Sequence, residues 1–186
     1  LKGTIQTITI KRDTLNRLWI CFSVKEMMEV PKEASTGQIG GFDFGLKTCL
    51  TDEQGRAYDS PQFLRRELRT LRKLNKALSR KREGSHNRER ARRALARAHI
   101  RIADKREDHH FQLANDLCDA YQAVIFEGLS LAGMKALWGR KVSDLGFAQF
   151  MQILEWITFK RGKKLIQIER FERTTGKCSA CGHCQK

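Results

Sequence analysis

Residues 38–46 read QIGGFDFGL, and this glycine-rich stretch decides the fold prediction. Successive side chains of a β-strand point to opposite faces, so Phe42 and Phe44 share one face and Asp43 lies on the other. Glycines on both sides of the aspartate let another backbone or a ligand approach closely. The stretch therefore predicts a strand that packs two aromatic rings on one face and presents the carboxylate of Asp43 on the other.

A second carboxylate, that of Glu127, follows the apolar run at residues 123–126, which is typical of a short buried strand. If this strand is a neighbour of the one carrying Asp43, the two carboxylates converge. Like charges a few ångströms apart are costly unless a cation bridges them, and Mg²⁺ accepts carboxylates together with waters and phosphate oxygens. Two such ions about 3.5–4 Å apart support in-line hydrolysis of a phosphodiester.

The spacing of these acids also leaves a simpler interpretation open. An aspartate in a glycine-rich strand is more often a turn cap, and a glutamate that ends a strand is usually only solvated. Three rival acids fit structural roles better: Asp52 and Asp59 as turn residues, and Asp144 as a helix cap. From the residues alone, both interpretations of Asp43 and Glu127 stand.

Hydrophobic patterning predicts a mixed α/β layered domain, with the order three strands, helices, strand, helix, strand. Two alternating stretches before it predict a separate pair of strands. The predicted elements are strands at 4–10 and 18–24, three short strands between 38 and 58, two long helices between 61 and 110, a strand at 123–126, a helix at 145–161 capped by Ser143 or Asp144, and a strand at 164–168.

Positive charge is concentrated in the helical part of the chain. The protein has 36 Lys and Arg against 21 Asp and Glu, a net charge of +15, and residues 61–110 contribute +11 of it with 17 basic and six acidic residues. Apolar residues at heptad spacing predict a narrow seam between two helices: Leu64, Leu68, Leu71 and Leu78 in the first, and Ala91, Leu95, Ala98 and Ile102 in the second.

A solvated helix face is the simplest explanation of such a charge run, but it needs acids to pair with the bases. Here the bases outnumber the acids almost three to one, which favours a polyanionic partner, nucleic acid. The predicted phosphate contacts are Arg65, Arg69, Arg72, Lys73, Lys76, Arg80, Lys81, Arg82, Arg88, Arg92, Arg93, Arg97 and Arg101. The longest uninterrupted apolar run has only five residues, so no membrane partner is expected.

Three of the six cysteines crowd the last nine residues, as Cys178, Cys181 and Cys184. Cys178 and Cys181 form a C-x-x-C-G turn of the kind found in zinc sites, with Cys184 as a further candidate ligand. A redox C-x-x-C is the alternative, although such a motif normally opens a helix. The spacing favours half of a zinc ribbon, with a second ligand pair expected after Lys186, and the scattered other cysteines indicate a reducing compartment.

Three motifs in order resemble one protein family. They are GFDFGLK at 41–47, VIFEGLSLAGM at 124–134 and FERTTGKCSACGH at 171–183. Together with the basic helices, they resemble the OrfB or TnpB proteins of bacterial insertion sequences, which are relatives of type V CRISPR effectors. The resemblance extends from about residue 5 to the end of the chain.

The resemblance implies an RNase H-like (RuvC-like) mixed sheet and an RNA-guided DNA endonuclease that uses Mg²⁺. It implies that Asp43 bridges two metal ions and Glu127 binds one, with a third acid beyond Lys186. It also implies structural Zn²⁺, guide RNA and target DNA as partners, and the bacterial cytoplasm as the location. The implied domains are the end of a β-rich, wedge-like nucleic-acid-binding domain at 1–30, a nuclease domain at 36–171 with the basic insertion at 62–118, and the first half of a zinc ribbon at 172–186.

Two other functions remain open at this point. A nuclease relative could bind DNA or RNA without cutting it, and the third acid would decide between these. A basic RNA-binding protein of ribosomal type would explain the charge but would leave the acids and the C-x-x-C as coincidences. The chain is expected to be an internal fragment of a longer protein and to be inactive as a nuclease by itself, because one carboxylate and half a ribbon are missing.

Overall fold

The computed structural model describes residues 3–27, 37–46, 48–128, 136, 139 and 142–169. The chain divides into two compact units, Leu1–Lys32 with Pro61–Leu113, and Glu33–Ser60 with Ala114–Lys186. None of the described helices is long and apolar enough to cross a membrane. The elements are strands β1 (Thr4–Arg12), β2 (Leu18–Lys25), β3 (Ile39–Phe44), β4 (Thr48–Asp52), β5 (Ala57–Asp59), β6 (Ala123–Glu127) and β7 (Lys164–Ile168), and helices α1 (Phe63–Ser79), α2 (His86–Ala120) and α3 (Phe147–Arg161).

The first unit contains an antiparallel hairpin of β1 and β2, which confirms both predicted strands and extends them. Ile8 pairs with Phe22 and Ile10 with Ile20, so one face of the hairpin is a ladder of apolar side chains. All four of these side chains are exposed. Because two strands alone are marginally stable in water, this apolar face is typical of a piece of a larger sheet.

The same unit contains the two predicted long helices, α1 and the first part of α2, joined by a turn at residues 80–85. Leu71 and Ile102 are buried in the predicted seam, and the other seam residues are half-buried. Ser85 Oγ accepts a hydrogen bond from the N–H of Arg88 at 3.2 Å, which caps the start of α2. The helical hairpin predicted from heptad spacing is therefore confirmed.

The second unit is built on a five-stranded sheet with the order β5-β4-β3-β6-β7. Strands β3, β4 and β5 form an antiparallel meander, as predicted, and β6 and β7 join it in parallel. The strands at 123–126 and 164–168 are thereby confirmed. The α/β class with a mixed sheet follows directly from these pairings.

Aromatic rings hold the centre of this sheet together. The Phe42 and Phe126 rings stack with centroids 5.4 Å apart, and Phe44 lies 5.1 Å from Phe126 and 4.4 Å from Phe147 of α3. All four side chains are buried. Because the rings of β3 and β6 pack on the same face, they fix the two strands side by side.

Truncating the central ring tests this arrangement. Phe126 is fully buried and contacts Phe42, Phe44 and Phe150. We expect Phe126→Ala to lower the free energy of unfolding by about 3–5 kcal/mol, because it removes ring contacts and leaves a cavity. Denaturant unfolding measures the change, with Phe159→Ala, an exposed ring of α3, as the matched control. A loss of stability no larger than that of the control would contradict the packing described.

Helix α3 begins differently from the prediction. Residues 142–145 are helical, and Gly146 adopts a left-handed conformation (φ 64°) before α3 starts at Phe147. No side chain caps this start, so the predicted cap by Ser143 or Asp144 is wrong. The physical reason is that the glycine breaks the helix, which moves both candidates away from the N-cap position.

The end of α3 is tied to the last turn of α2 by polar contacts. The guanidinium of Arg161 donates to the carboxylate of Asp119 and, at 2.8 Å, to the side-chain oxygen of Asn115. The Lys163 ammonium donates to the Tyr121 carbonyl at 3.2 Å. These contacts hold the helical layer against the aromatic face of the sheet.

Candidate active site and nucleic-acid interface

Asp43 and Glu127 lie on adjacent parallel strands at matching positions. The register of β3 and β6 pairs Phe42 with Phe126, and the two acids are the next residue of each strand. Both phenylalanines are buried and both acids are exposed, so the carboxylates share the face opposite the aromatic core. Since neighbouring strands are about 4.8 Å apart, the two side chains start close together.

Neither acid of this pair has a basic partner among the residues that the structure describes. In the described parts of the chain, no ion pair involves either carboxylate. On the other side of Asp43 lies Thr51 of β4, its registered neighbour. Two unpaired carboxylates beside one another repel, and a divalent cation with oxygen ligands relieves that repulsion. The chemistry of this donor set fits Mg²⁺, with waters or phosphate oxygens completing its coordination.

Of the three rival acids, Asp52 has a clear structural role. Asp52 is buried, and its Oδ1 accepts hydrogen bonds from the N–H groups of Gln54 (3.0 Å) and Arg56 (2.7 Å), which confirms its predicted turn role. Asp59 ends β5 at an exposed position, and Asp144 is buried. No group of three or more His, Cys, Asp or Glu suited to a metal ion occurs among the described residues. The candidate site in the described chain therefore consists of two acids.

Two neighbours of the pair could not be read from local sequence. Glu53 lies in the turn after β4, and its carboxylate accepts a hydrogen bond from the Gly41 N–H at 3.0 Å. This side-chain contact links β3 to the end of β4, beyond the last backbone pairing of the two strands. Cys49 lies in β4 and is buried, and burial raises the pKa of its thiol to about 12. A thiol with that pKa stays protonated at neutral pH, so Cys49 serves as core rather than as a nucleophile.

The predicted zinc ligands Cys178, Cys181 and Cys184 lie outside the described residues.

All thirteen predicted phosphate contacts lie in the described part of the chain. They differ in whether an acidic side chain of the protein already forms an ion pair with them. Arg69, Arg72, Lys76 and Arg80 follow one another at steps of three or four residues along α1 and its end, and all are exposed. Such spacing places side chains on one face of a helix. We call these four residues the α1 basic stripe.

The start of α2 has a different electrostatic character. Glu89 pairs with both Arg92 (2.7 Å) and Arg93 (2.9 Å), and hydrogen bonds from these two side chains lower the pKa of Glu89 to about 2. Arg92 also donates to the Thr14 carbonyl at 2.7 Å, so it ties the β1–β2 turn to α2. The positive charge at this end of the hairpin is thus partly neutralised within the fold.

A model of one protein family matches residues 20–137, which include β3, the basic helices and β6. The model is OrfB_IS605, described as a probable transposase. The chain belongs to this family.

Several relatives, two of them with names that state an activity, match nearly the whole of this chain. A protein of Streptomyces pristinaespiralis, named "Putative RNA-guided DNA endonuclease", is 32% identical over 178 residues, which cover 95% of this chain and 44% of that protein. The Escherichia coli protein InsQ, with the same name, is 20% identical over 99% of this chain and 49% of its own length. The TnpB-like protein L79 of Acanthamoeba polyphaga mimivirus is 24% identical over 95% of this chain and 37% of its own. The chain thus spans less than half the length of these relatives.

A solved structure has a similar fold. The cryo-EM structure of a Cas12f1–sgRNA–target DNA complex aligns with a TM-score of 0.59 and 14% identity, over 99% of this chain and 39% of that one. At this identity the likeness concerns the fold alone. The predicted relationship to OrfB and TnpB proteins is confirmed by the family match, whereas the roles of the individual site residues stay predictions.

Proposed function

We propose that this chain supplies the nuclease core of an RNA-guided DNA endonuclease. The observation that carries the proposal is the placement of Asp43 and Glu127 at matching positions of neighbouring parallel strands, on the face away from the aromatic core. Family membership and the names of the relatives support the same activity. The partners we propose are a guide RNA and a target DNA, and the location is the bacterial cytoplasm.

The proposed fold type is the RNase H-like, RuvC-like sheet. A meander of three antiparallel strands followed by two parallel strands, with helices on the aromatic face, supports this assignment. In this proposal the β1–β2 hairpin is the end of a β-rich nucleic-acid-binding domain, in line with its exposed apolar ladder. Cys178 and Cys181, with Cys184 as a further candidate, would bind a structural Zn²⁺ as half of a ribbon.

In the proposed reaction, Asp43 would hold two Mg²⁺ ions and Glu127 one of them, with a third acid outside this sequence. When bound there, the ions would polarise the attacking water and would neutralise the charge that develops on the leaving oxygen. The carboxylates of Asp43 and Glu127 would hold the reacting phosphate against this face of the sheet only through the bound cations, because carboxylate and phosphate by themselves repel. The water oxygen bonds to phosphorus, the ester P–O bond breaks, and the proton lost by the water is balanced by one gained by the leaving oxygen.

One observation favours a second candidate, a relative that binds nucleic acid without cutting it. Among the described residues, Asp43 and Glu127 belong to no group of three or more His, Cys, Asp or Glu that could hold a metal ion. Two carboxylates bind a divalent ion more weakly than three, so cleavage by this site would need a further metal ligand.

Metal removal separates the two candidates. We expect the intact gene product, loaded with its RNA, to cut DNA in Mg²⁺ and to lose cutting in EDTA while it still binds DNA, because the acids serve the reaction and the basic helices serve binding. A gel cleavage assay and a filter-binding assay at equal ionic strength measure the two properties. Binding without cutting in Mg²⁺ would support the second candidate, and cutting that survives EDTA would contradict the proposed chemistry.

A further inference from the structure

Three glycines surround Asp43, and the fold explains only two of them. A Cβ added at Gly40 would lie 2.7 Å from the Tyr121 ring, and one at Gly45 would lie 2.6 Å from the Thr48 carbonyl oxygen. Both positions therefore need a residue without a side chain. At Gly41 an added Cβ meets nothing within 4 Å among the described residues, and the backbone is not in the left-handed region.

Gly41 thus has no packing or conformational reason within the described chain. A glycine inside a strand weakens it, because it loses more conformational freedom on folding and offers no side chain to pack. Its N–H is held by the Glu53 carboxylate at 3.0 Å, which keeps this part of β3 in line with the sheet. The cost of the glycine must be offset by something that approaches its open side.

The open side of Gly41 is the face of the candidate active site. Gly41 precedes Asp43 by two residues, so both lie on the same face of β3, and its registered neighbour on β6 is Ile125, two residues before Glu127. The space above Gly41 is therefore next to the acidic pair. A molecule that contacts both acids and extends along β3 towards its start would lie over this position.

We infer that Gly41 is a positioning residue, whose missing side chain admits the sugar–phosphate backbone of the DNA strand to be cut. This inference rests on the proposed function and names what the same site accommodates. A side chain at position 41 would hold the strand away from the carboxylates by roughly the size of the added group. Displacing a reacting group by about 1 Å can cost about a hundredfold in rate.

Two substitutions at position 41 test the inference in the intact RNA-loaded gene product. We expect Gly41→Ala to lower kcat/KM for cleavage of a labelled single-stranded DNA about tenfold and Gly41→Val about a hundredfold, mainly through kcat, because the added group displaces the reacting phosphate. The melting temperature should stay equal or rise, because alanine and valine suit a strand better than glycine does. Ala57→Val is the matched control, since Ala57 is exposed in β5 on the same face, two strands from Asp43. This control should cut as the parent does.

Two outcomes would overturn the inference, and a third would contradict the proposed function. If Gly41→Val keeps kcat/KM within twofold of the parent, no strand passes over Gly41. If Gly41→Ala lowers the melting temperature by several degrees, position 41 is packed against another part of the protein rather than open to DNA. A parent that does not cut in Mg²⁺ contradicts the proposed function itself, and the parent's own assay reports that failure separately.

Discussion

Under the proposed function, we expect Asp43→Asn in the intact gene product to lower the rate of DNA cleavage in Mg²⁺ by at least about a thousandfold, because metal-assisted charge stabilisation lowers the barrier by several kcal/mol. The substitution keeps the shape of the side chain and removes only its charge. Asp43 is exposed, and no ion pair in the described chain depends on it, so the fold should be unaffected. Single-turnover cleavage with saturating protein measures the change, and DNA affinity should stay within about twofold because the basic helices are intact.

The matched control for this experiment is Asp59→Asn. Asp59 is also an exposed aspartate of the same sheet, but it ends the edge strand β5 and pairs in register with Thr48. The Asp59→Asn protein should cut DNA at the parental rate. Glu127→Gln should resemble Asp43→Asn, since the two acids occupy matching positions on neighbouring strands. An Asp43→Asn protein that cuts within tenfold of the parent would remove Asp43 from the reaction.

Local sequence was sufficient for the elements that carry the candidate site. Alternation in β3 separates Phe42 and Phe44 from Asp43, and the structure has both rings buried and the acid exposed. The heptad spacing likewise predicted α1 and α2, because side-chain period follows directly from backbone geometry. Such periodic features depend on neighbours in sequence only.

Features that depend on distant residues were not predictable in this way. The pairing of β3 with β6 results from packing between Phe42 and Phe126, which are far apart in sequence. The start of α3 is set by Gly146, where backbone freedom outweighed the capping preference of the nearby Ser143 and Asp144. The open side of Gly41 becomes visible only when the positions of all neighbouring atoms are known.

In the basic helices, too, some features follow from local sequence and others depend on distant residues. Sequence predicted a surplus of positive charge, but it could not predict which cations the fold neutralises. Arg92 is engaged by Glu89 and by the Thr14 carbonyl, whose position depends on the β1–β2 turn. The α1 basic stripe has no such acid partner among the described residues, so its charge remains available to a polyanion.

We therefore expect a large loss of nucleic-acid affinity when the charges of the α1 basic stripe are removed. Replacing Arg69, Arg72 and Lys76 together by Gln should weaken binding of nucleic acid ten- to a hundredfold at low salt. The slope of log K against log salt should become shallower by about 3, because each phosphate contact contributes about 0.9. Glutamine keeps helix propensity, and the three side chains are exposed, so α1 should still form. Fluorescence anisotropy with a labelled duplex between 50 and 300 mM salt measures both quantities.

A triple variant of equal charge at the start of α2 provides the comparison. Arg88, Arg92 and Arg93 all form ion pairs with Glu83 or Glu89, so replacing them by Gln removes the same three charges where acids already offset them. Their loss should change the salt slope by less than half as much as loss of the stripe. A melting curve of each variant separates lost contacts from lost structure, which matters most for Arg92 because it also holds the Thr14 carbonyl. Equal slopes for the two triple variants would mean that nucleic acid displaces the Glu89 pairs and uses both ends of the hairpin alike.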